Sequence, residues 1–215
     1  MIQQTLDLTP TQKSDTYIYT PIKPSNPFIW SKEKALSKTF CKRLITKFKK
    51  DEKKYQGQIG NGRVDKKMKD SMDTFISGRE TWEEEDEVLF QSLAESTEPY
   101  IEHLTKALDL ECFEKLGNII TDISPYLTGD HHDTGYQIQE TVPGGYYDWH
   151  HDARLDQTQD YGACTRVFTY IWYLNDNFDE GETEFYDGTL VEPETGKLVI
   201  FPATWTFYHR GRTPV

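Results

Sequence analysis

The chain has few cysteines and no long apolar segment. Its three cysteines, Cys41, Cys112 and Cys164, are widely separated and form no Cys-x-x-Cys pair, so they predict free thiols and not a disulfide framework or a zinc knuckle. No stretch approaches the length of apolar sequence that a membrane helix needs. The N-terminus also lacks the basic and then apolar pattern of a signal peptide. We therefore expect a cytoplasmic protein with no membrane partner.

Positive charge is also scarce. The formal net charge is -12 over 215 residues, which repels nucleic-acid phosphates and argues against DNA or RNA as the main partner. The only dense basic stretch, residues 47–54, is interpreted as the solvated end of a helix. With 36% apolar and 13% aromatic residues, the composition is typical of a soluble enzyme with one hydrophobic core. The sequence does not indicate an oligomeric state.

The most informative pattern is the triplet His150-His151-Asp152, followed 57 positions later by His209. Side chains two apart on an extended chain point to the same side, so His150 and Asp152 can bind one ion while His151 faces away. Two imidazoles and one carboxylate leave octahedral positions open, as in mononuclear non-heme Fe(II) oxygenases, although catalytic zinc accepts the same ligands. The similar triplet at 131–133 lies in a sequence typical of a loop and is interpreted as a solvated turn.

Five motifs follow one another in the last third of the chain. They are Tyr147-Asp-Trp-His-His-Asp152, Arg166-Val-Phe-Thr-Tyr-Ile-Trp-Tyr-Leu-Asn-Asp176, Gly181-Glu-Thr-Glu-Phe185, Gly196-Lys-Leu-Val-Ile-Phe-Pro-Ala203 and His209-Arg-Gly-Arg-Thr-Pro-Val215. Through these motifs, residues from about 136 to 215 resemble the iron(II)- and 2-oxoglutarate-dependent dioxygenases, specifically their prolyl 4-hydroxylase-like branch. One departure is Glu180, which stands where a second glycine is usual.

The resemblance implies a function and a set of site residues. It implies Fe(II) bound by His150, Asp152 and His209, with 2-oxoglutarate and O2 as cosubstrates and ascorbate as a reductant. Tyr173 is implied as a hydroxyl donor to the remote carboxylate of 2-oxoglutarate, and Tyr147 as part of the same pocket. The implied reaction is hydroxylation of an unactivated C–H bond, with peptidyl proline as the substrate and succinate and CO2 as coproducts. A small molecule or a free amino acid is the alternative substrate.

The basic residue that pairs with the remote carboxylate of 2-oxoglutarate in this family would fall beyond Val215. An unpaired carboxylate is costly in a buried pocket. Two interpretations follow: the sequence lacks its last strand, which we favour, or Arg210 or Arg212 takes this role. A third interpretation is a catalytically silent jelly-roll module that binds metal.

The fold prediction combines helices before residue 117 with strands after it. Residues 36–48 carry one apolar helical face ending near Lys50, residues 55–80 are predicted to be loop-rich, and a second helix is expected from Trp82 to about Leu110 with a break near Pro99. Together with the resemblance, these patterns predict an α+β, mainly β protein: a double-stranded β-helix, or jelly roll, at 118–215, buttressed by the helices of 1–117 within the same domain. The predicted strands are Asn118–Tyr126, Gly135–Val142, Ala163–Leu174, Glu182–Tyr186, Lys197–Phe201 and Thr206–His209.

Overall fold

The computed structural model describes residues 26–60, 62–108, 132–153 and 166–215. Within these residues the chain is a mixture of helices and short strands, and every paired strand is antiparallel to its neighbour. The predicted strand at 118–126 lies outside the described residues. Neither described helix has the length and apolar content needed to cross a bilayer.

Helix α1 spans Lys38–Lys50, which confirms the predicted helix and its end. The side chain of Ser37 caps its first turn by accepting a hydrogen bond from the Phe40 amide (3.2 Å). Cys41, Leu44 and Phe48 form its buried face, because these spacings fall on one side of a helix. Lysines in the last turn are favourable near the negative end of the helix dipole.

Helix α2 spans Glu83–Leu108 and continues through Pro99, so the expected break at this residue is wrong. Proline removes one backbone hydrogen bond from a helix interior, but the packing of the helix continues on both sides of it. Leu89 and Ser96 are buried before Pro99, and Tyr100 and Leu104 are buried after it. The Tyr100 hydroxyl also donates to the Phe28 carbonyl (3.1 Å). Tertiary contacts therefore outweigh the local preference.

Two sheets form the centre of the described fold. In the order of their pairing, the strands of the first are β1 (Trp30–Lys32), β12 (Leu198–Pro202) and β9 (Phe168–Trp172). Those of the second are β11 (Leu190–Val191), β10 (Thr183–Phe185), β13 (His209–Gly211), β8 (Tyr146–His150) and β5 (Lys69–Asp70).

Strand β12 separates two parts of the core. Leu198 and Ile200 pack with Tyr100 and Leu104 of α2, whereas Val199 and Phe201 pack with Phe185 of β10. Successive side chains of a strand point to opposite faces, which is why four consecutive residues of β12 are buried. The central strand therefore touches a helix on one side and the five-stranded sheet on the other.

A smaller sheet lies in the region predicted to be loop-rich. Residues 55–80 contain five short strands, which corrects that prediction. Strands β2 (Tyr55–Gln56), β6 (Met72–Phe75) and β7 (Gln137–Glu140) form a sheet in the order β2-β6-β7, while β3 (Gln58–Ile59) and β4 (Arg63–Val64) form a hairpin. Strands of two or four residues with many polar side chains carry too little alternation to be recognised in sequence.

Other predicted strands agree with the structure within a few residues. Strands β7, β9, β10 and β12 lie inside or across the predicted segments. The segment Thr206–His209 is different, because residues Trp205–Phe207 form a 3-10 turn and β13 begins at His209. Strands from both sides of residue 117 pair with one another, as β1 does with β12 and β5 with β8.

The residue that ends α1, Asp51, connects three elements. Its carboxylate accepts two hydrogen bonds from the Arg79 guanidinium (2.7 and 2.9 Å) and one from the Trp82 indole (3.0 Å). The side chain is only 5% exposed, so its negative charge is stabilised by these partners and not by water. Arg79 is the main reason that the pKa of Asp51 lies well below its ordinary value.

We predict that Asp51→Asn lowers the free energy of unfolding by about 3 kcal/mol at neutral pH, because Arg79 then lacks its buried counter-charge. Since the pKa of Asp51 is lowered by folding, its contribution is present above the ordinary carboxyl pKa of about 4 and is lost as the pH falls below it. Urea unfolding at several pH values measures the difference between wild type and variant, which should shrink in acid. The exposed neighbour Glu52 provides the control, and an equal effect of Glu52→Gln would contradict the prediction.

Candidate metal centre

The antiparallel pairing of β8 and β13 places two histidines side by side. His150 lies opposite His209, and their ring centroids are 4.3 Å apart. The register then shifts, so that Gly211 lies opposite Tyr147. Two residues of β8, Asp148 and Trp149, therefore face one residue of β13, Arg210, and such a bulge changes the direction of the side chains beside it. The Tyr147 ring consequently stacks on the His150 imidazole, with centroids 3.5 Å apart and planes at 11°.

Asp152 follows two residues after the end of β8 and faces both histidines. Its carboxylate oxygens lie 3.7 Å from Nε2 of His150 and 3.6 Å from Nε2 of His209. One donor atom from each of the three residues lies within 4.8 Å of the others, and the described residues contain no further group of this kind. The structure thus brings together the three residues singled out in the sequence. The neighbouring His151 is exposed.

The orientation of each histidine is fixed by the backbone carbonyl two residues before it. Nδ1–H of His150 donates to the Asp148 carbonyl (2.7 Å), and Nδ1–H of His209 donates to the Phe207 carbonyl (2.9 Å). A carbonyl oxygen can only accept, so each imidazole keeps its proton on Nδ1 and directs the lone pair of Nε2 towards Asp152. Hydrogen bonds of this type typically orient metal-binding histidines.

The electrostatics also favour a neutral His150. Burial is the largest cause, and the nearby His209 adds to it, so that the pKa of His150 falls to about 4 although Asp152 opposes the change. A neutral imidazole is the form that binds a metal ion. The donor set of two nitrogens and one carboxylate therefore suits a divalent cation with open coordination positions, such as Fe(II) or catalytic Zn(II).

Two threonines that the sequence analysis missed support this site. Thr169 of β9 donates a hydrogen bond from its hydroxyl to the Asp152 carboxylate (2.8 Å). Thr183 of β10 forms a 2.6 Å hydrogen bond with the Tyr173 hydroxyl. Both lie inside quoted motifs, but strand threonines are common and only the cross-strand register shows what these two contact.

Tyr173 and Thr183 lie on the interior side of the five-stranded sheet. Thr183 is buried and lies two residues before Phe185, which is paired with His209 in the sheet. Tyr173 packs against the same core cluster, and burial raises its pKa to about 12. Tyr147 has a pKa raised to about 12, first by burial and then by the negative charge of Asp152. Both hydroxyls are therefore protonated at neutral pH and can donate hydrogen bonds.

Arg212 does not join this interior group. Its guanidinium pairs with Glu180, Glu182 and Glu184, at 3.4, 3.3 and 3.9 Å. Arg210 also pairs with Glu184 and lies over the Trp149 ring. Because side chains alternate along a strand, Arg210 and Arg212 lie on the face opposite His209. Arg212, the alternative partner considered for 2-oxoglutarate, is thus paired with other carboxylates and lies on the face opposite His209.

The triplet at residues 131–133, which has the same His-His-Asp order as residues 150–152, has a different environment. His131 lies outside the described residues, and Asp133 accepts hydrogen bonds from the Gly135 amide (3.0 Å) and the Tyr136 hydroxyl (2.7 Å). These contacts stabilise the segment before β7.

Comparison with known proteins confirms the family resemblance. Residues 136–215 match the model of the 2OG-Fe(II) oxygenase superfamily. No relative is found among curated protein sequences.

Several solved structures share the fold. A prolyl-4-hydroxylase from Pseudomonas putida is 16% identical, with a TM-score of 0.55 over 87% of this chain and 86% of its own. A prolyl hydroxylase from Trichoplax adhaerens, in complex with a hypoxia inducible factor peptide fragment, is 15% identical, with a TM-score of 0.60 over 88% and 79%. A viral collagen prolyl hydroxylase from Paramecium Bursaria Chlorella virus-1, in complex with 2OG, is 20% identical, with a TM-score of 0.51 over 87% and 88%. At these identities the likeness establishes the fold alone.

We predict that Thr169→Val weakens binding of a divalent cation by about tenfold, because Asp152 loses the hydrogen bond that orients its carboxylate. Thr169→Ser keeps a hydroxyl and should bind nearly as well as wild type. Isothermal titration with Co(II) measures both. The exposed Thr39 of α1 serves as a control, since Thr39→Val should leave the affinity unchanged. Equal affinities of Thr169→Val and wild type would contradict the assigned orientation.

Proposed function

With residues 136–215 assigned to the 2OG-Fe(II) oxygenase superfamily, we propose that the chain is an Fe(II)- and 2-oxoglutarate-dependent dioxygenase whose iron ligands are His150, Asp152 and His209. The observation that carries the proposal is that Nδ1 of each histidine lies within hydrogen-bond distance of a backbone carbonyl, while Nε2 of each faces the same carboxylate. Two histidines that lay near a carboxylate by chance would have no reason to share this orientation, with Nδ1 bound to a carbonyl and Nε2 facing the carboxylate.

The proposal includes the architecture around this site. We assign the five-stranded sheet and the β1-β12-β9 sheet to the two halves of a jelly roll, with the metal between strands at one open end. The helices before residue 117 belong to the same domain and support it. The packing of Leu198 and Ile200 against α2 favours this arrangement.

Tyr173 and Thr183 form the inner wall for 2-oxoglutarate in this proposal. Their hydroxyls lie on the same side of the sheet as His209, and because one proton is used in the hydrogen bond between them, the other can donate to a carboxylate. Arg212 does not pair with the remote carboxylate of 2-oxoglutarate in this proposal, because three glutamates already surround its guanidinium. Tyr147 contributes its ring beside His150.

Iron and 2-oxoglutarate, when bound, supply the activation of O2 that leads to succinate, CO2 and a hydroxylated product. The contribution of the protein is to hold the donor atoms in place and to orient the cosubstrate. Asp152 matters for the outcome, because a carboxylate in this ligand position favours hydroxylation over halogenation.

Peptidyl proline is the substrate class that we propose. The support is that the similar structures are described as prolyl hydroxylases and that one of them was solved with a peptide fragment. A fold of this kind serves many substrates, so free amino acids and small molecules are the competing class. Ascorbate as a reductant and a cytoplasmic location remain predictions from sequence.

The proposed iron and 2-oxoglutarate site is tested by anaerobic titration with Fe(II) and then with 2-oxoglutarate. We expect a weak visible metal-to-ligand band that requires both additions in wild type and is lost in His150→Ala. The matched control is His151→Ala, because this adjacent exposed histidine does not belong to the ligand group and its removal should leave the band. Bound iron without a band would favour a silent metal-binding module, and tight zinc binding without a band would favour a zinc site.

The substrate class is tested by succinate formation. We expect proline-containing peptides to raise succinate production at least about tenfold above the rate without peptide. The reason is that contacts between the protein and the parts of the peptide away from the reacting C–H bond contribute binding energy that speeds the reaction. Free proline and peptides with alanine in place of proline should not do so. The hydroxylated peptide is identified by its mass increase of one oxygen atom. Stimulation by free proline but not by peptides would instead support a small-molecule hydroxylase.

A further inference from the structure

Lys69 and Asp73 form a buried ion pair close to the proposed metal centre. Their side chains are 4% and 1% exposed, and Nζ of Lys69 lies 2.6 Å from the Asp73 carboxylate. Asp73 also accepts hydrogen bonds from the Ser71 hydroxyl (2.8 Å) and the Gln137 amide (2.9 Å). Burying two charges is costly unless their remaining hydrogen-bonding capacity is satisfied, and here the carboxylate is well satisfied.

The pair lies beside the strand that carries His150. Lys69 of β5 is directly opposite Tyr147 of β8, and its ammonium lies over the Tyr147 ring, 4.9 Å from the centroid. The same ring stacks on His150 at 3.5 Å. A contiguous series of contacts therefore runs from Asp73 through Lys69 and Tyr147 to the imidazole.

We propose that the Lys69–Asp73 ion pair is a positioning unit of the metal centre, which holds the Tyr147 ring against His150 and so keeps Nε2 directed at the ion. Asp73 fixes the ammonium, the ammonium attracts the face of the aromatic ring, and the ring limits rotation of the imidazole. A ligand that is oriented before the ion arrives loses less freedom on binding, so the affinity for the ion is higher. This inference rests on the proposed metal centre.

The chain offers a matched control for this arrangement. Lys47 of α1 pairs with the buried Glu85 and lies 4.8 Å from the centroid of the Trp82 ring. This lysine therefore has the same two kinds of partner, a carboxylate and an aromatic face. None of its contacts involves the three proposed ligands, so Lys47→Met reports what loss of such a pair does to the protein in general.

The experiment measures Co(II) affinity and the visible Co(II) absorption bands of the full chain, with thermal unfolding to verify folding. We expect Lys69→Met to weaken Co(II) binding by about 10- to 100-fold and to alter the bands, as for other residues that orient a ligand. Lys69→Arg should stay within about threefold of wild type because it keeps the cation over the ring. Lys47→Met should leave affinity and bands unchanged even if it lowers the unfolding temperature.

A double variant separates positioning from the effect of leaving Asp73 unpaired. Lys69→Met combined with Asp73→Asn removes both charges, and it decides the question if Lys69→Met alone does not fold. We expect it to remain weak in Co(II) binding, because the cation over Tyr147 is still missing. Affinity restored to within about twofold of wild type would overturn the proposal, since the loss would then come from the unpaired carboxylate.

A double-mutant cycle tests the path through Tyr147. In a Tyr147→Leu background, Lys69→Met should cause little further loss, because both changes interrupt the same series of contacts. Fully additive losses would contradict the proposal. If wild type does not bind Co(II), or if His150→Ala binds it equally well, the proposed metal centre itself is wrong; binding that depends on His150 but not on Lys69 rejects only the positioning role.

Discussion

The pairing of β8 with β13 is the constraint on which the site depends. It sets His150 opposite His209. The register shift between His209 and Gly211 then places the Tyr147 side chain on the same side as His150. Each histidine then donates to the backbone carbonyl oxygen two residues before it. These local contacts select the tautomer of both rings. Asp152 lies just beyond the end of β8, and the Thr169 hydroxyl of the three-stranded sheet donates a hydrogen bond to its carboxylate.

Strand β12, the central strand of the three-stranded sheet, links the metal-site strands to α2. Its buried side chains alternate between α2 and the five-stranded sheet, so the position of the helix and that of the metal-site strands are coupled through one strand. Phe201 reaches the His209 ring directly, with centroids 4.8 Å apart. Close-packed interiors transmit small displacements, and a change in the packing under α2 therefore has a physical route to the candidate ligands.

The features that were predictable from sequence are those encoded by short-range spacing. The separation of His150 from Asp152, the apolar face of α1 and the unbroken apolar run of β12 each follow from the period of a strand or a helix. The roles of Thr169, Thr183 and Arg212 depend instead on which residue of a distant strand lies opposite. Arg212 shows the difference clearly: its proximity to His209 in sequence suggested a site residue, but alternation along β13 turns it towards the glutamates on the other face.

The five short strands between residues 55 and 80 were missed because two to four residues carry too little alternation to be recognised, and they change the interpretation of the N-terminal half. Strand β5 is an edge of the very sheet that carries His150 and His209, and β6 pairs with β7. Lys69 reaches the site as a member of this sheet. A buried charge of this kind needs its counter-charge nearby, and Asp73 is supplied by β6, four residues further along the chain. Strand β5, which precedes residue 117, is therefore part of the sheet that carries both candidate histidine ligands.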